Sequence, residues 1–159
     1  MKNLVILISV LFLSSCNSDD DKKNEFNYST HFEMIVKNSE GIDLLNPNSS
    51  NTLNTNNIKL FYLKNGVSEE VYNPSLDLPR NYMIYSQSDG IYRIRIFPND
   101  IQSEEFPITY IKWNETDTDT VKCKLKYTEN TIVLEKVWFN EKFKLDTTQN
   151  NGFTFQILK

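Results

Sequence analysis

Apolar and polar residues alternate along most of the chain from residue 28 onward, as in Phe32, Met34 and Val36. A spacing of two places successive side chains on opposite faces of an extended strand, so this pattern indicates half-buried β-structure. No stretch of ten residues has an apolar stripe with helical spacing. The pattern predicts about eight to ten short strands. They are expected over residues 32–36, 58–63, 67–72, 82–85, 91–97, 108–113, 120–127, 131–139 and 153–158.

Turn residues separate these predicted strands. Asn65-Gly66 and Asp89-Gly90 each lie between two apolar runs. Asn-Gly tolerates the positive φ angles that a two-residue type I′ hairpin needs, and Asp-Gly is similar. Glu129-Asn130 is expected to join the two longest strands, and the Asn-, Ser- and Thr-rich segment 46–57 reads as a long loop.

Short strands joined by polar turns predict an all-β domain. We expect an antiparallel β-sandwich of the Ig-like or Greek-key type, with a partly open β-barrel as the alternative. Residues 28–159 are enough for one domain with its own core. The loop 46–57 could carry binding contacts, as long loops on rigid β scaffolds often do, although its composition suits any solvated loop equally well.

The first sixteen residues have a different pattern. Lys2 precedes an apolar run over residues 4–13, which is followed by Ser14, Ser15 and Cys16. Such a run is too short to span a hydrocarbon core of about 30 Å as a helix. A basic residue, a short apolar run and small residues before a cleavage site are typical of a secretory signal. An ordinary signal peptide with a coincidental cysteine is the alternative.

The stretch Leu13-Ser14-Ser15-Cys16 resembles the lipobox of bacterial lipoproteins. That resemblance implies removal of residues 1–15 as a cleaved signal peptide, diacylglycerol on the Cys16 sulfur and acylation of the new amino terminus. Ser15 departs from the pattern, because Gly or Ala is more frequent there. Two or three acyl chains would hold the protein on a membrane almost permanently. The membrane is therefore the first expected partner.

An acidic stretch follows the cysteine. Asn17, Ser18 and the three aspartates at 19–21 are similar to the sequence after the lipidated cysteine in surface-exported lipoproteins of the Bacteroidetes. The resemblance implies an outer-membrane location that faces the cell exterior. A solvated linker without a sorting role is the alternative. Residues 16–27 are polar enough to be disordered, and residues 17–27 would reach about 36–40 Å as a tether.

The charge of the chain does not suit a nucleic-acid-binding protein. The formal charge is −4, and removal of Lys2 with the signal peptide makes it −5. A phosphate-binding surface needs a basic patch. The lysines at 122, 124 and 126 alternate with apolar residues, which indicates the solvated face of a strand more readily than a binding stripe. We therefore expect no nucleic-acid partner.

The sequence contains no recognisable catalytic motif. With Cys16 lipidated, Cys123 is left alone and the chain has no disulfide framework. The alternation around Cys123 places it on the buried face of its strand. His31 is the single histidine, and nothing in the sequence brings it beside a cysteine or serine nucleophile. These features favour a protein that is not an enzyme.

Aromatic residues are candidate binding groups. They make up 13% of the chain, and Trp113, Trp138 and Tyr110 lie in or near the ends of predicted strands. An exposed aromatic ring can stack on a sugar ring or on a protein partner with little loss of side-chain entropy. Filling the core is the competing role, because aromatic residues are favoured in strands in any case.

The sequence suggests one possible cation site, although no cofactor is required. Glu115, Asp117 and Asp119 stand at alternate positions, and their oxygens could bind a hard cation such as Ca²⁺. The spacing does not match a calcium loop of the EF-hand kind. Acidic residues at alternate positions would also suit the exposed side of a strand without any metal.

These features predict a lipid-anchored, non-catalytic surface module of the cell envelope that binds a protein or glycan or has a structural role. One alternative is a small hydrolase of envelope glycans, which requires two carboxylates that face a cleft beside Trp113 or Trp138. Another is a periplasm-facing inhibitor or assembly factor with an exposed inserting loop.

Overall fold

The structure is a computed structural model that describes residues 26–149 and 152–159. It confirms the predicted β-sandwich: two sheets pack face to face around one core. The predicted signal peptide, Cys16 and the acidic stretch after it lie outside the described residues, and their roles remain predictions. In the part of the chain that is described, no helix is long and apolar enough to cross a bilayer.

The described ranges contain eleven strands and two short 3₁₀ turns. The 3₁₀ turns are Thr55–Asn57, inside the predicted loop 46–57, and Thr147–Gln149. The strands in chain order are β1 Asn27–Ser29, β2 Phe32–Lys37, β3 Lys59–Lys64, β4 Val67–Glu70, β5 Tyr82–Ser86, β6 Tyr92–Ile96, β7 Ile108–Lys112, β8 Thr118–Thr128, β9 Thr131–Phe139, β10 Lys142–Asp146 and β11 Thr154–Leu158.

The larger sheet has the order β1-β9-β8-β7-β3-β4, and β10 also pairs with β9. Strands β1 and β10 share one edge of β9, because β1 pairs with its first residues and β10 with its last. The smaller sheet has the order β11-β2-β6-β5. Strand β1 begins at Asn27, one residue before the predicted start of the domain.

Most neighbouring strands are antiparallel, as predicted, but two pairs are parallel. Strand β1 runs parallel to β9, and β11 runs parallel to β2. Alternation along a strand reports which residues are buried and carries no information about strand direction. The parallel pairs arise from connections that cross from one sheet to the other, which the sequence pattern does not encode.

The core is made by the inward side chains of both sheets. Phe32, Met34 and Val36 of the smaller sheet are each 0% exposed, and they belong to the same buried cluster as Leu60 and Val121 of the larger sheet. This alternation of buried and outward residues is the one that the sequence predicts for half-buried strands.

The predicted turns are present, and one turn was missed. Asn65 and Gly66 both have positive φ, at 51° and 79°, as a type I′ turn requires. Asp89-Gly90 and Glu129-Asn130 also lie between paired strands. The missed turn is Asn140-Glu141, which joins β9 to β10 with φ angles of 47° and 65°. It contains no glycine, and the short apolar run after it, with Phe143 and Leu145, was not predicted as a strand, so no hairpin was predicted there.

The larger sheet has two register shifts, one where β9 pairs with β8 and one where β9 pairs with β10. In the β8–β9 pair, Lys124 faces Lys136 whereas Leu125 faces Leu134, so Glu135 is an extra residue in β9. A second shift lies between Phe143 and Leu145 of β10. One extra residue in a strand reverses the face on which all the following side chains lie. These two bulges therefore determine which side chains of β9 and β10 lie on the outer face of the larger sheet.

The Asn140-Glu141 turn gives a stability prediction. An L-residue with a left-handed backbone costs about 1–2 kcal/mol, and glycine avoids this cost. Because glycine also increases the entropy of the unfolded chain, Glu141→Gly should stabilise the fold by about 0.5–1 kcal/mol net. Urea denaturation would measure the change. Glu141→Ala is the control, since it removes the same carboxylate but keeps a Cβ, and equal stability of the two variants would contradict the prediction.

Candidate functional site

Aromatic residues and a lysine meet on the outer face of the larger sheet. Lys122 of β8 is paired with Trp138 of β9, and Trp138 is paired with Phe143 of β10. Their sequence neighbours Val121, Val137 and Phe139 are buried in the core, so these three point outward. Phe106, which precedes β7, lies against the same tryptophan. We call Phe106, Lys122, Trp138 and Phe143 the aromatic–lysine patch.

Trp138 is the centre of this patch. Phe106 and Phe143 contact its ring edge-on, with ring centroids 5.7 Å and 5.8 Å from it. Phe106 is 36% exposed and Phe143 is 55% exposed, whereas Trp138 itself is half-buried between them. The Lys122 ammonium lies 5.2 Å from the centroid of Trp138 and 5.6 Å from that of Phe106. Edge-on aromatic contacts and a cation beside the rings hold Trp138 in one orientation.

Further lysines continue from the patch along the same face. Lys124 and Lys126 follow Lys122 at alternate positions of β8, and Lys136 of β9 is paired directly with Lys124. Among the described residues, Lys122, Lys124 and Lys126 form no salt bridge, and Lys136 has one contact of 3.8 Å with Asp146. The face is therefore locally cationic although the chain carries net negative charge.

The three aromatic candidates from the sequence have different positions. Tyr110 lies on the outer face of β7 and is paired with Thr120, one row of the sheet away from Trp138. Trp113 points into the core, is 1% exposed and donates a hydrogen bond from Nε1 to Asp119 Oδ2 at 2.7 Å. The structure therefore places Tyr110 and Trp138 on one surface, whereas Trp113 is a core residue and cannot serve as an exposed platform.

The proposed cation ligands do not converge on one point. Asp119 is 6% exposed and accepts a hydrogen bond from Asn140 Nδ2 at 2.6 Å. The Lys159 ammonium lies 2.6 Å from Asp119 Oδ2 and 2.7 Å from Asp117 Oδ1. Glu115 instead pairs with Lys112 at 2.7 Å, and this contact lowers the pKa of its carboxyl. Lysines thus occupy the positions where a cation was expected.

The rest of the described chain also lacks a set of metal ligands. Within residues 26–149 and 152–159, no group of three or more His, Cys, Asp or Glu side chains is arranged to hold a metal ion. The hydrolase alternative places two carboxylates in a cleft beside a tryptophan. Beside the buried Trp113, the carboxylates of Asp117 and Asp119 both contact Lys159, and beside Trp138 the open sheet face carries Lys122.

The loop 46–57 covers part of the sandwich. Pro47, Thr52 and Thr55 line a groove of about 310 Å³ together with Ile84 and Tyr92 of the smaller sheet. Thr52 Oγ1 donates a hydrogen bond to the Leu44 carbonyl oxygen at 3.1 Å, and Asn54 caps the 3₁₀ turn that follows. These contacts are made within the loop and to its own scaffold, so the loop has a structural role, and a binding role for it remains a prediction.

Cys123 and His31 are placed in different surroundings. Cys123 is 0% exposed, and burial in the core raises the pKa of its thiol, as the alternation in β8 predicted. His31 stacks on Phe153 with ring centroids 5.2 Å apart and lies 6.0 Å from Phe97. Burial and, secondarily, the nearby Arg95 lower the pKa of His31. The thiol is neutral and inaccessible, which is unsuited to a nucleophile.

A buried carboxylate lies on the outer face of the smaller sheet. Glu33 Oε1 accepts hydrogen bonds from Tyr85 Oη and from Nε and Nη2 of Arg95, and Thr154 Oγ1 donates to Oε2 at 3.1 Å. Burial opposes ionisation of Glu33, but these donors outweigh it and lower its pKa. Because this cluster joins β2, β5, β6 and β11, it links all four strands of the sheet.

Sequence reasoning missed Phe106, Phe143 and Lys122 as parts of a surface site. One signal was present in β9: apolar residues stand at 132 and 134 and then at 137 and 139, with Glu135-Lys136 between them. This change of phase indicates a bulge. It would have assigned Trp138 to the outer face, opposite Lys122.

Comparison of the chain with protein-family models, with curated proteins and with solved structures finds no match.

The contacts of Asp119 generate a second prediction. Asp119→Asn keeps the shape of the side chain but removes the charge that pairs with Lys159, and it should destabilise the fold by about 1–3 kcal/mol. Glu115→Gln is the matched control, because this carboxylate is 88% exposed and its removal should leave the melting temperature unchanged.

The same melting experiment with and without added CaCl₂, at constant ionic strength, should show no Ca²⁺-specific stabilisation. A saturable increase that Asp119→Asn abolishes would contradict this interpretation.

Glu33 generates a prediction about pH. Because its folded-state pKa is lowered, its contribution to stability is present above the unfolded pKa near 4.5 and is lost as the pH falls through the folded value. Glu33→Gln should cost about 1–3 kcal/mol at pH 7, since Arg95 then lacks its carboxylate. The difference in unfolding free energy between wild type and variant should shrink below pH 4.5. A difference that stays constant from pH 7 to pH 3 would show that the charge of Glu33 is not responsible.

Proposed function

We propose that the protein is a lipid-anchored, non-catalytic module of the bacterial cell surface that binds its ligand through the outer face of the larger sheet. The aromatic–lysine patch is the observation that carries this proposal. Large aromatic side chains that remain partly exposed and are fixed by their neighbours are typical of binding hot spots. Phe143 is 55% exposed on this face although a solvated strand would suit a polar residue there.

The position of the patch in the fold supports an outward-facing site. The described chain enters the domain beside the β8–β9 turn, where the Asn27 backbone N–H donates to the Asn130 carbonyl oxygen at 2.8 Å. Trp138 lies seven positions beyond Thr131 on β9, which is about 23 Å along the strand. The tether expected over residues 17–27 would therefore join the domain near one end of β9, and the patch lies toward the other end.

The surroundings of the buried acidic groups support a role without catalysis. Glu33 and Asp119 are the buried carboxylates with the densest contacts, and each is bonded to a cation and to neutral donors. A general acid or base needs a free position toward a substrate. Arg95 and Lys159 instead hold these two carboxylates in place, where they tie strands together.

The anchoring part of the proposal gives a further prediction. Expressed in a bacterium that processes lipoproteins, the wild-type chain should incorporate labelled palmitate and sediment with membranes. Cys16→Ser should abolish both, because the variant lacks the sulfur to which the diacylglycerol is attached. Ser15→Ala is the matched control: alanine is frequent at this place of the lipobox, so labelling and sedimentation should be retained.

Protease treatment of intact cells tests the direction in which the domain faces. A surface-displayed domain should be degraded while a periplasmic marker protein survives. Full protection of the wild-type protein in intact cells, with degradation after lysis, would contradict surface display. Palmitate labelling of Cys16→Ser at the wild-type level would contradict the lipid anchor itself.

A further inference from the structure

We propose that the ligand of the outer face is an anionic polysaccharide, whose sugar rings contact the aromatic–lysine patch and whose acidic groups pair with the lysines of β8 and β9. The proposal rests on the binding role proposed above and names its substrate class.

The first observation is a pair of like charges across the sheet. Lys124 and Lys136 are direct cross-strand neighbours on the outer face. Like charges placed directly opposite each other destabilise a sheet. Asp146 contacts Lys136 at 3.8 Å, and Lys124 has no carboxylate in contact among the described residues. A bound anion between the two ammonium groups would relieve this repulsion.

The second observation is the spacing of the cations. Lys122, Lys124 and Lys126 stand at alternate positions of one strand, which places their Cα atoms about 6.6–6.8 Å apart. Their neighbours Val121, Cys123 and Leu125 are buried in the core, so the three lysine side chains project from the same outer face. Such a row suits a polymer with regularly repeated charges better than a single small anion. Glu135 lies near the Lys126 end, where both line a groove of about 420 Å³.

The aromatic groups distinguish a glycan from other polyanions. Lys122 belongs both to the lysine row and to the patch, because its ammonium lies 5.2 Å from the Trp138 ring centroid. The row therefore continues directly into Phe106, Trp138 and Phe143. A sugar ring offers an apolar C–H face to these rings and a carboxylate or sulfate to the lysines. A bare polyphosphate would use the lysines but leave the aromatic rings uncovered.

The experiment compares polymers that separate these two contributions. The purified full chain is titrated with polygalacturonate, which carries a carboxylate on every sugar ring, with neutral dextran and with poly-glutamate. We expect polygalacturonate to bind at least about tenfold more tightly than either other polymer. Its affinity should also fall steeply between 50 and 500 mM salt, as expected when lysines pair with a polyanion.

Variants assign the binding to the outer face. Trp138→Ala should weaken polygalacturonate binding by about tenfold or more, the effect typical of an aromatic hot spot, and Trp138→Phe should restore most of it. The double variant Lys124→Gln and Lys126→Gln should weaken binding and flatten the salt dependence. Lys37→Gln and Tyr72→Ala are controls, since Lys37 belongs to the smaller sheet and Tyr72 lies beyond β4. Thermal melting of each variant confirms that it is folded.

Several results would overturn the inference. Equal binding of polygalacturonate and poly-glutamate with no effect of Trp138→Ala would indicate a simple polyanion site. Tighter binding to vesicles of phosphatidylglycerol would indicate that the face docks on a membrane. The anionic polymers could fail to bind while Trp138→Ala abolishes the binding of a neutral glycan or a protein. That result would overturn the anionic ligand but would support binding through the outer face. If folded variants of this face change the binding of no probe, the proposed binding role fails as well.

Discussion

The register shift at Glu135 is the constraint on which the larger sheet depends. Before it, Leu125 faces Leu134, and beyond it Cys123 faces Val137, so both halves of the β8–β9 pair keep apolar side chains in the core. Without the extra residue, strict alternation would turn Trp138 and Lys136 inward and Val137 outward. A lysine ammonium buried without a partner is strongly unfavourable. The bulge therefore allows one continuous core and one cationic outer face on the same pair of strands.

The two sheets are joined by polar contacts as well as by the apolar core. Lys159 follows β11 of the smaller sheet, donates its backbone N–H to the Lys37 carbonyl oxygen, and reaches Asp119 of the larger sheet through its ammonium. Its ammonium also lies 5.1 Å from the ring centroid of Trp113. Asn140, from the turn that sequence reasoning missed, completes the hydrogen bonds of Asp119. Residues that resembled a metal site and a binding platform are thus parts of one link between the sheets.

The outer faces of the two sheets differ in chemistry. On the smaller sheet, Arg95 pairs with Glu33 and Arg93 pairs with Asp89, each at 2.6 Å. On the larger sheet, lysines of β8 stand beside aromatic rings and each other. Arginines that are paired with carboxylates attract a charged ligand only weakly. Lysines without a carboxylate partner, beside exposed aromatic rings, attract an anionic ligand more strongly. This difference is what directs the proposed binding role to the larger sheet.

The sequence by itself determined the all-β class, most strand positions, the Asn65-Gly66 hairpin and the burial of Cys123, because alternation and turn residues are local properties. Its amino-terminal pattern also generated the lipid-anchor hypothesis, which concerns residues outside the described structure. The tertiary structure decided strand direction, the Asn140-Glu141 turn and the opposite positions of Trp113 and Trp138. These depend on contacts between residues far apart in the chain and on a single inserted residue. A local pattern can report that a side chain is apolar, but the pairing register decides whether it lies in the core or on the surface.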